Sequence, residues 1–195
     1  MNRRALLAAG AALIPLPLAG CGRSTSLTET SSETPTPTPS PTPTPTPPEG
    51  FGGLVPGETC VRIDLPREDA ATYPPFDGAR DADAARDFAG DFELALVDAH
   101  LRADARTEGG GIATHDRELR EATVRAAGAG HLVRTHVRGA FVPTTGTATG
   151  EGTPTALPAV PYDVTARYFV TGRYAVRRGR ESEIGDLPEG VIACA

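Results

Sequence analysis

The sequence predicts an α+β fold: one long helix packed on an antiparallel sheet of about four to five strands, after a disordered N-terminal region. Three observations carry this. Ala85, Phe88, Phe92, Ala95, Leu96, Ala99 and Ala103 recur at helical spacing. The chain beyond them alternates apolar and polar residues in short runs separated by Gly-rich turns. Upstream, eight of the 19 Pro fall between Thr34 and Pro48, where neither helix nor ladder can form.

The elements follow in order. Cys60 to Leu65 alternates as a short strand, and Pro66 ends it. Asp81 or Asp83 caps a helix that runs to about Arg106. Acidic residues crowd its start and Arg102 and Arg106 its end, which suits the helix dipole. Gly109-Gly110-Gly111 stops it. Leu119 to Ala127 is a candidate strand, and Gly128-Ala129-Gly130 turns the chain into a strand over His131 to Val142. There Val133, Val137 and Phe141 face one way, and Arg134, His136 and Arg138 the other. Pro143 to Pro161 reads as a long Thr/Gly/Pro loop. Tyr162 to Val170 follows, with Val164, Ala166 and Tyr168 on one face. Thr171-Gly172 is expected as a two-residue hairpin turn into a strand with Tyr174 and Val176. Val191 to Cys194 is the last strand.

The start of the chain reads as an address. Arg3 and Arg4 precede an apolar run of 14 residues, Ala5 to Leu18. That run is shorter than the roughly 20 residues that span a bilayer. Leu18-Ala19-Gly20-Cys21 resembles the lipobox of bacterial and archaeal lipoproteins, and Arg3-Arg4 followed by Ala5-Leu6-Leu7 resembles a twin-arginine export signal. With its Thr-Pro tract and small Lys-free acidic domain, the layout is similar to exported lipoproteins of halophilic archaea. The resemblance implies that Cys21 carries a lipid, becomes the mature N-terminus and holds the protein on the outer face of the cell membrane. The expected organisation is a signal peptide over 1–20, a lipid-anchored Thr/Pro-rich linker over 21–57 and the α+β domain over 58–195. The Thr34 to Pro48 tract is expected to form a polyproline II spacer, about 3.1 Å per residue. Gly50-Phe51-Gly52-Gly53 is expected as a flexible hinge behind it.

Residue types exclude much chemistry. The chain has no Lys, Gln or Trp, one Asn (Asn2) and one Met (Met1). Schiff-base lysines and P-loop lysines are ruled out. A blue-copper site lacks its Met and any His beyond Cys194. Neither Cys-x-x-Cys nor His-Glu-x-x-His occurs, and His131 and His136 point to opposite faces of one strand. No metal site or cofactor is expected. Ser182, the only Ser after residue 57, sits in Arg180-Glu181-Ser182-Glu183 rather than in a nucleophile elbow. With Cys21 lipidated, Cys60 and Cys194 remain, and an even pair in an exported chain implies a disulfide.

Charge is divided. Residues 58–116 hold 6 Arg and 14 Asp/Glu, whereas residues 117–180 hold 10 Arg and 4 Asp/Glu. On the strand assignment above, Arg134, His136, Arg138, Arg167, Arg173 and Arg177 share the face away from the core. That face fits an anionic glycan or an acidic envelope protein. It equally fits a solvated face that complements the acidic helix half. Few aromatics lie among these arginines, so nucleic acid is not expected. The functional expectation is a membrane-anchored, extracytoplasmic, non-catalytic binding module. The alternative is a small hydrolase working through paired carboxylates.

Overall fold

In a computed structural model, residues 46–66, 72–145 and 155–195 are described. The expected signal peptide 1–20, Cys21, the expected linker as far as residue 45, and residues 67–71 and 146–154 lie outside them. The chain divides into two units at Thr42 and Pro43, and every described residue belongs to the second.

Helix α1 spans Ala82–Thr107, close to its predicted limits. Asp81 is the N-cap, its Oδ1 accepting from the Ala84 N–H at 2.8 Å. Gly109, at φ 75°, supplies the left-handed residue that ends the helix. The Gly109 and Gly110 N–H groups then donate to the Arg106 and Ala105 carbonyls at 2.9 and 2.8 Å.

Six strands follow: β1 (Gly111–Ala127), β2 (Gly130–Thr145), β3 (Thr155–Ala156), β4 (Val160–Thr171), β5 (Tyr174–Ser182) and β6 (Gly190–Cys194). They form one antiparallel sheet in the order β1-β2-β4-β5-β6, with β3 paired to the end of β2. The expected α+β architecture is therefore present. β1 begins eight residues earlier than the Leu119 start expected from alternation. Bulges near Ala113 and Arg120 break its period of two and hide the strand from that pattern. β2 and β3 also extend into the stretch expected as a loop after Pro143.

Two local expectations are corrected. The hairpin between β4 and β5 turns at Gly172-Arg173, not Thr171-Gly172. The Thr171 hydroxyl accepts from the N–H groups of Arg173 and Tyr174 and donates to the Tyr174 carbonyl, so the side chain itself closes the turn. Cys60 to Leu65 is not a strand. One backbone bond, Ile63 N–H to the Val191 carbonyl at 2.8 Å, joins it to β6, and side chains hold the rest. Cys60 is linked to Cys194 by a disulfide, as expected.

The core has two parts. On the inner face, α1 lies over β1, β2 and β4, burying Ala85, Ala89, Phe92, Leu96 and Val97 against Val133, Val137, Val164, Ala166 and Tyr168. Gly139 lets β2 approach Tyr162: a Cβ there would fall 2.5 Å from the Tyr162 hydroxyl and 2.2 Å from the Asp116 carbonyl. On the opposite face, Leu132, Phe169, Val176 and Val191 form an apolar strip covered by Phe51. Phe51 is 0% exposed, so Gly50-Phe51-Gly52-Gly53 is not a free hinge and the fold begins before residue 58. A strip of four apolar side chains on an otherwise polar sheet face needs a lid, and Phe51 supplies it.

Candidate functional site

The outer sheet face carries the arginines. Arg134 on β2 stands opposite Arg167 on β4, and Arg167 stands opposite Arg178 on β5. Three like charges in register on adjacent strands cost stability rather than supply it. None of the three has a carboxylate partner among the described residues. Arg178 donates to the Gly50 carbonyl, and the Arg167 guanidinium lies 5.8 Å from the centre of the Phe51 ring. Two of the row therefore also hold the chain entering the fold.

Of the six residues expected on this face, Arg134, His136, Arg138 and Arg167 are on it. Arg138 leans toward Asp163, 3.6 Å away, and His136 Nε2 meets the same carboxylate at 2.5 Å. Arg173 sits in the β4–β5 turn. Arg177 is on the other side, 0% exposed and opposite Tyr168. The error has a definite cause. Val176 packs with Phe51 on the outer face, and its neighbour Arg177 consequently points inward. Arg178 and Arg180 take the outward places.

Two depressions meet on this face. A hollow of about 230 Å³ is lined by Arg125, Arg134, Arg167 and Arg180 together with Thr123, Leu132 and neighbouring backbone, and no acidic residue lines it. A groove of about 780 Å³ shares Arg134 and Arg180 and continues past His136, Asp163 and Thr165 around the end of β5. Its far wall carries Glu181, Glu183, Asp186 and Glu189, all exposed. Glu183 accepts from the Asp163 N–H at 2.8 Å, and Ser182 Oγ accepts from the Ile184 N–H at 3.3 Å. Among the described residues, no pair of buried carboxylates faces this groove.

The buried carboxylates lie elsewhere, in two networks that the sequence pattern concealed. Glu93 on α1 accepts from Arg177 Nε and Nη2 at 2.8 and 2.7 Å and from the Tyr168 hydroxyl, and all three residues are 0% exposed. Arg177 Nη1 donates to the Pro188 carbonyl at 2.9 Å. Burial opposes the Arg177 charge, but Glu93 outweighs it and raises the pKa above the usual value. Burial, with the Glu93 charge beside it, pushes the Tyr168 hydroxyl well up, so it stays a donor.

The second network joins Asp98 on α1, His115 on β1 and Tyr162 on β4. His115 Nδ1 lies 2.7 Å from Asp98 Oδ1, and Nε2 lies 2.6 Å from the Tyr162 hydroxyl. Arg117 and Arg102 reach Asp98 at 2.7 and 3.2 Å. Burial lowers the His115 pKa despite the raising effect of Asp98. Burial works against the Asp98 charge, yet hydrogen bonds from His115 and Arg102 and the charge of Arg117 bring its pKa below normal. Burial pushes Tyr162 up to about 12. These directions assign the protons: neutral His115 donates Nδ1–H to ionised Asp98 and accepts at Nε2 from Tyr162. The arrangement is that of an oriented base, but its free nitrogen is taken by Tyr162 and its side chains are 2% and 6% exposed. It joins α1 to β1 and β4.

Compared with known protein families, with curated proteins and with solved structures, the chain has no match in any of the three.

Proposed function

We propose that the protein is an exported lipoprotein, held on the outer face of the cell membrane through Cys21, whose domain is a non-catalytic binding module for an anionic glycan or an acidic envelope protein. The in-register row Arg134, Arg167, Arg178 carries this reading. It is costly to the fold, has no acidic partner among the described residues and flanks an open groove. The Cys60–Cys194 disulfide supports an oxidising, extracytoplasmic location. The anchor rests on Leu18-Ala19-Gly20-Cys21 and is tested by the mass of the mature N-terminal peptide from a membrane fraction: an unmodified Cys21 there overturns it.

Binding is tested on sulfated-polysaccharide beads at low salt. Wild type is retained, and the triple Arg134→Ala, Arg167→Ala, Arg180→Ala variant elutes early. Equal retention of the two refutes the binding face.

A further inference from the structure

The two depressions differ in charge, and the difference defines a ligand more narrowly than any anionic polymer. We propose that the four-arginine hollow takes a single oxyanion, a phosphate or sulfate monoester, and that the adjoining groove takes its neutral, polyhydroxylated body. The inference rests on the outer face being an anion-binding surface and names the class of ligand.

The hollow is the first part. Arg125, Arg134, Arg167 and Arg180 reach it from four different strands, and no carboxylate lines it. None of the four forms an ion pair with a described residue. Guanidinium forks match the oxygens of a tetrahedral oxyanion in bidentate fashion. At about 230 Å³ the space suits one oxyanion with a few waters, since a water occupies about 30 Å³ in the liquid. It is too small for several charged repeats.

The groove is the second part. Of its lining arginines, Arg177 is already neutralised by Glu93, which leaves Arg134 and Arg180 at the end shared with the hollow. Asp163, Glu181, Glu183, Asp186 and Glu189 line the remainder. A polymer charged at every repeat would set anions against these five carboxylates. Hydroxyl groups would instead donate to them, with Thr165 as a further polar partner. The groove's volume of about 780 Å³ lies within the range of small-molecule sites, about 300–1,000 Å³. No Phe or Tyr lines either depression, and the one ring there, His136, is held edge-on by Asp163, so neither depression offers the aromatic platform that base stacking uses. A phosphorylated or sulfated saccharide meets every condition.

The test is calorimetric titration of the full-length mature chain, in detergent and low salt. The probes are glucose 6-phosphate, glucose 6-sulfate, inorganic phosphate, glucose and a heparin-type sulfated polymer. The expected result is that one or both sugar esters bind at least tenfold more tightly than inorganic phosphate, and that glucose does not bind. The phosphate and sulfate arms identify the preferred ester. Arg134→Ala and Arg180→Ala lose sugar-ester binding tenfold or more. Glu181→Gln weakens sugar-ester binding severalfold while leaving inorganic phosphate unchanged. These positions are exposed, and circular dichroism together with an intact disulfide verifies each variant's fold. Inorganic phosphate equal to the sugar esters overturns the inference, because the groove then contributes nothing. A sulfated polymer that binds more tightly than both esters overturns it too, yet leaves the anionic face standing. Failure of every anion to bind overturns both.

Discussion

Glu93 and Arg177 lie fully inside the protein, and their separation tests whether that pair organises the fold. In Glu93→Gln the Arg177 guanidinium keeps the Pro188 carbonyl but loses the carboxylate that meets Nε and Nη2. Removing one partner of a buried ion pair costs about 3–5 kcal/mol, because the other charge stays buried and uncompensated. Against a typical total of about 5–15 kcal/mol, that is a large share. At about 3 °C per kcal/mol for a domain of this size, the melting temperature falls by about 9–15 °C. The reciprocal change, removing all three polar side chains together as Glu93→Leu, Arg177→Met, Tyr168→Phe, leaves no buried charge unpaired, only the Pro188 carbonyl without its donor, and lies within about 2 kcal/mol of wild type. The assay is urea unfolding followed by circular dichroism, comparing midpoints at constant slope. A Glu93→Gln cost below about 1 kcal/mol, or a triple variant less stable than Glu93→Gln, refutes the reasoning.

Four further outcomes follow from the structure. His115 has a lowered pKa, so below its ordinary value of 6.5 the unfolded chain binds a proton that the folded chain refuses. The wild-type urea midpoint therefore declines as pH drops below about 6.5, and His115→Gln flattens that limb of the profile. Asp98, also lowered, adds a further decline as pH falls below its usual 3.8. Cys60→Ser with Cys194→Ser opens a loop of sequence separation 134 and loses about 5 kcal/mol on the chain-entropy account, read as a lower melting temperature under non-reducing conditions. Phe51→Ala uncovers Leu132, Phe169, Val176 and Val191 and costs about 3–5 kcal/mol, whereas a truly flexible hinge would lose almost nothing. Arg134→Thr relieves one like-charge contact and raises the unfolding free energy by about 0.2–1 kcal/mol while weakening anion retention, so stability and binding move in opposite directions.

The helix was legible because its signals are local: Asp81 caps it, Gly109 ends it and small or apolar residues repeat along one side. The strands were legible where alternation was clean, as from Val133 to Val137 and from Val164 to Tyr168. β1 was hidden because bulges near Ala113 and Arg120 shift the alternation. The second core was hidden for a different reason. Phe51 stands among glycines next to a Pro-rich tract, and nothing in its neighbours reveals partners 81 to 140 residues away in the chain. That omission misplaced Arg177, since a strand with apolar residues on both faces cannot be oriented by hydropathy alone. The buried carboxylates are a third case. Nothing in the sequence around Glu93 and Asp98 marks them as buried, because their partners Arg177, Tyr168 and His115 come to them from the sheet. The row Arg134, Arg167, Arg178 needs the ladder register, which the sequence does not state.

The Phe51 plug and the Cys60–Cys194 bridge lie nine residues apart along the chain, and this spacing gives the entry segment a mechanical character. A pull from the N-terminal side is met by the Arg178 bond to the Gly50 carbonyl and by the plug, both non-covalent. Once the plug is drawn out, at most about 30 Å of chain pays out before Cys60 takes the load. From there the load passes covalently to β6 at the far edge of the sheet, and the row of strands behind it is not unzipped from its first member. The entry thus works as a short shock absorber in series with a permanent stop.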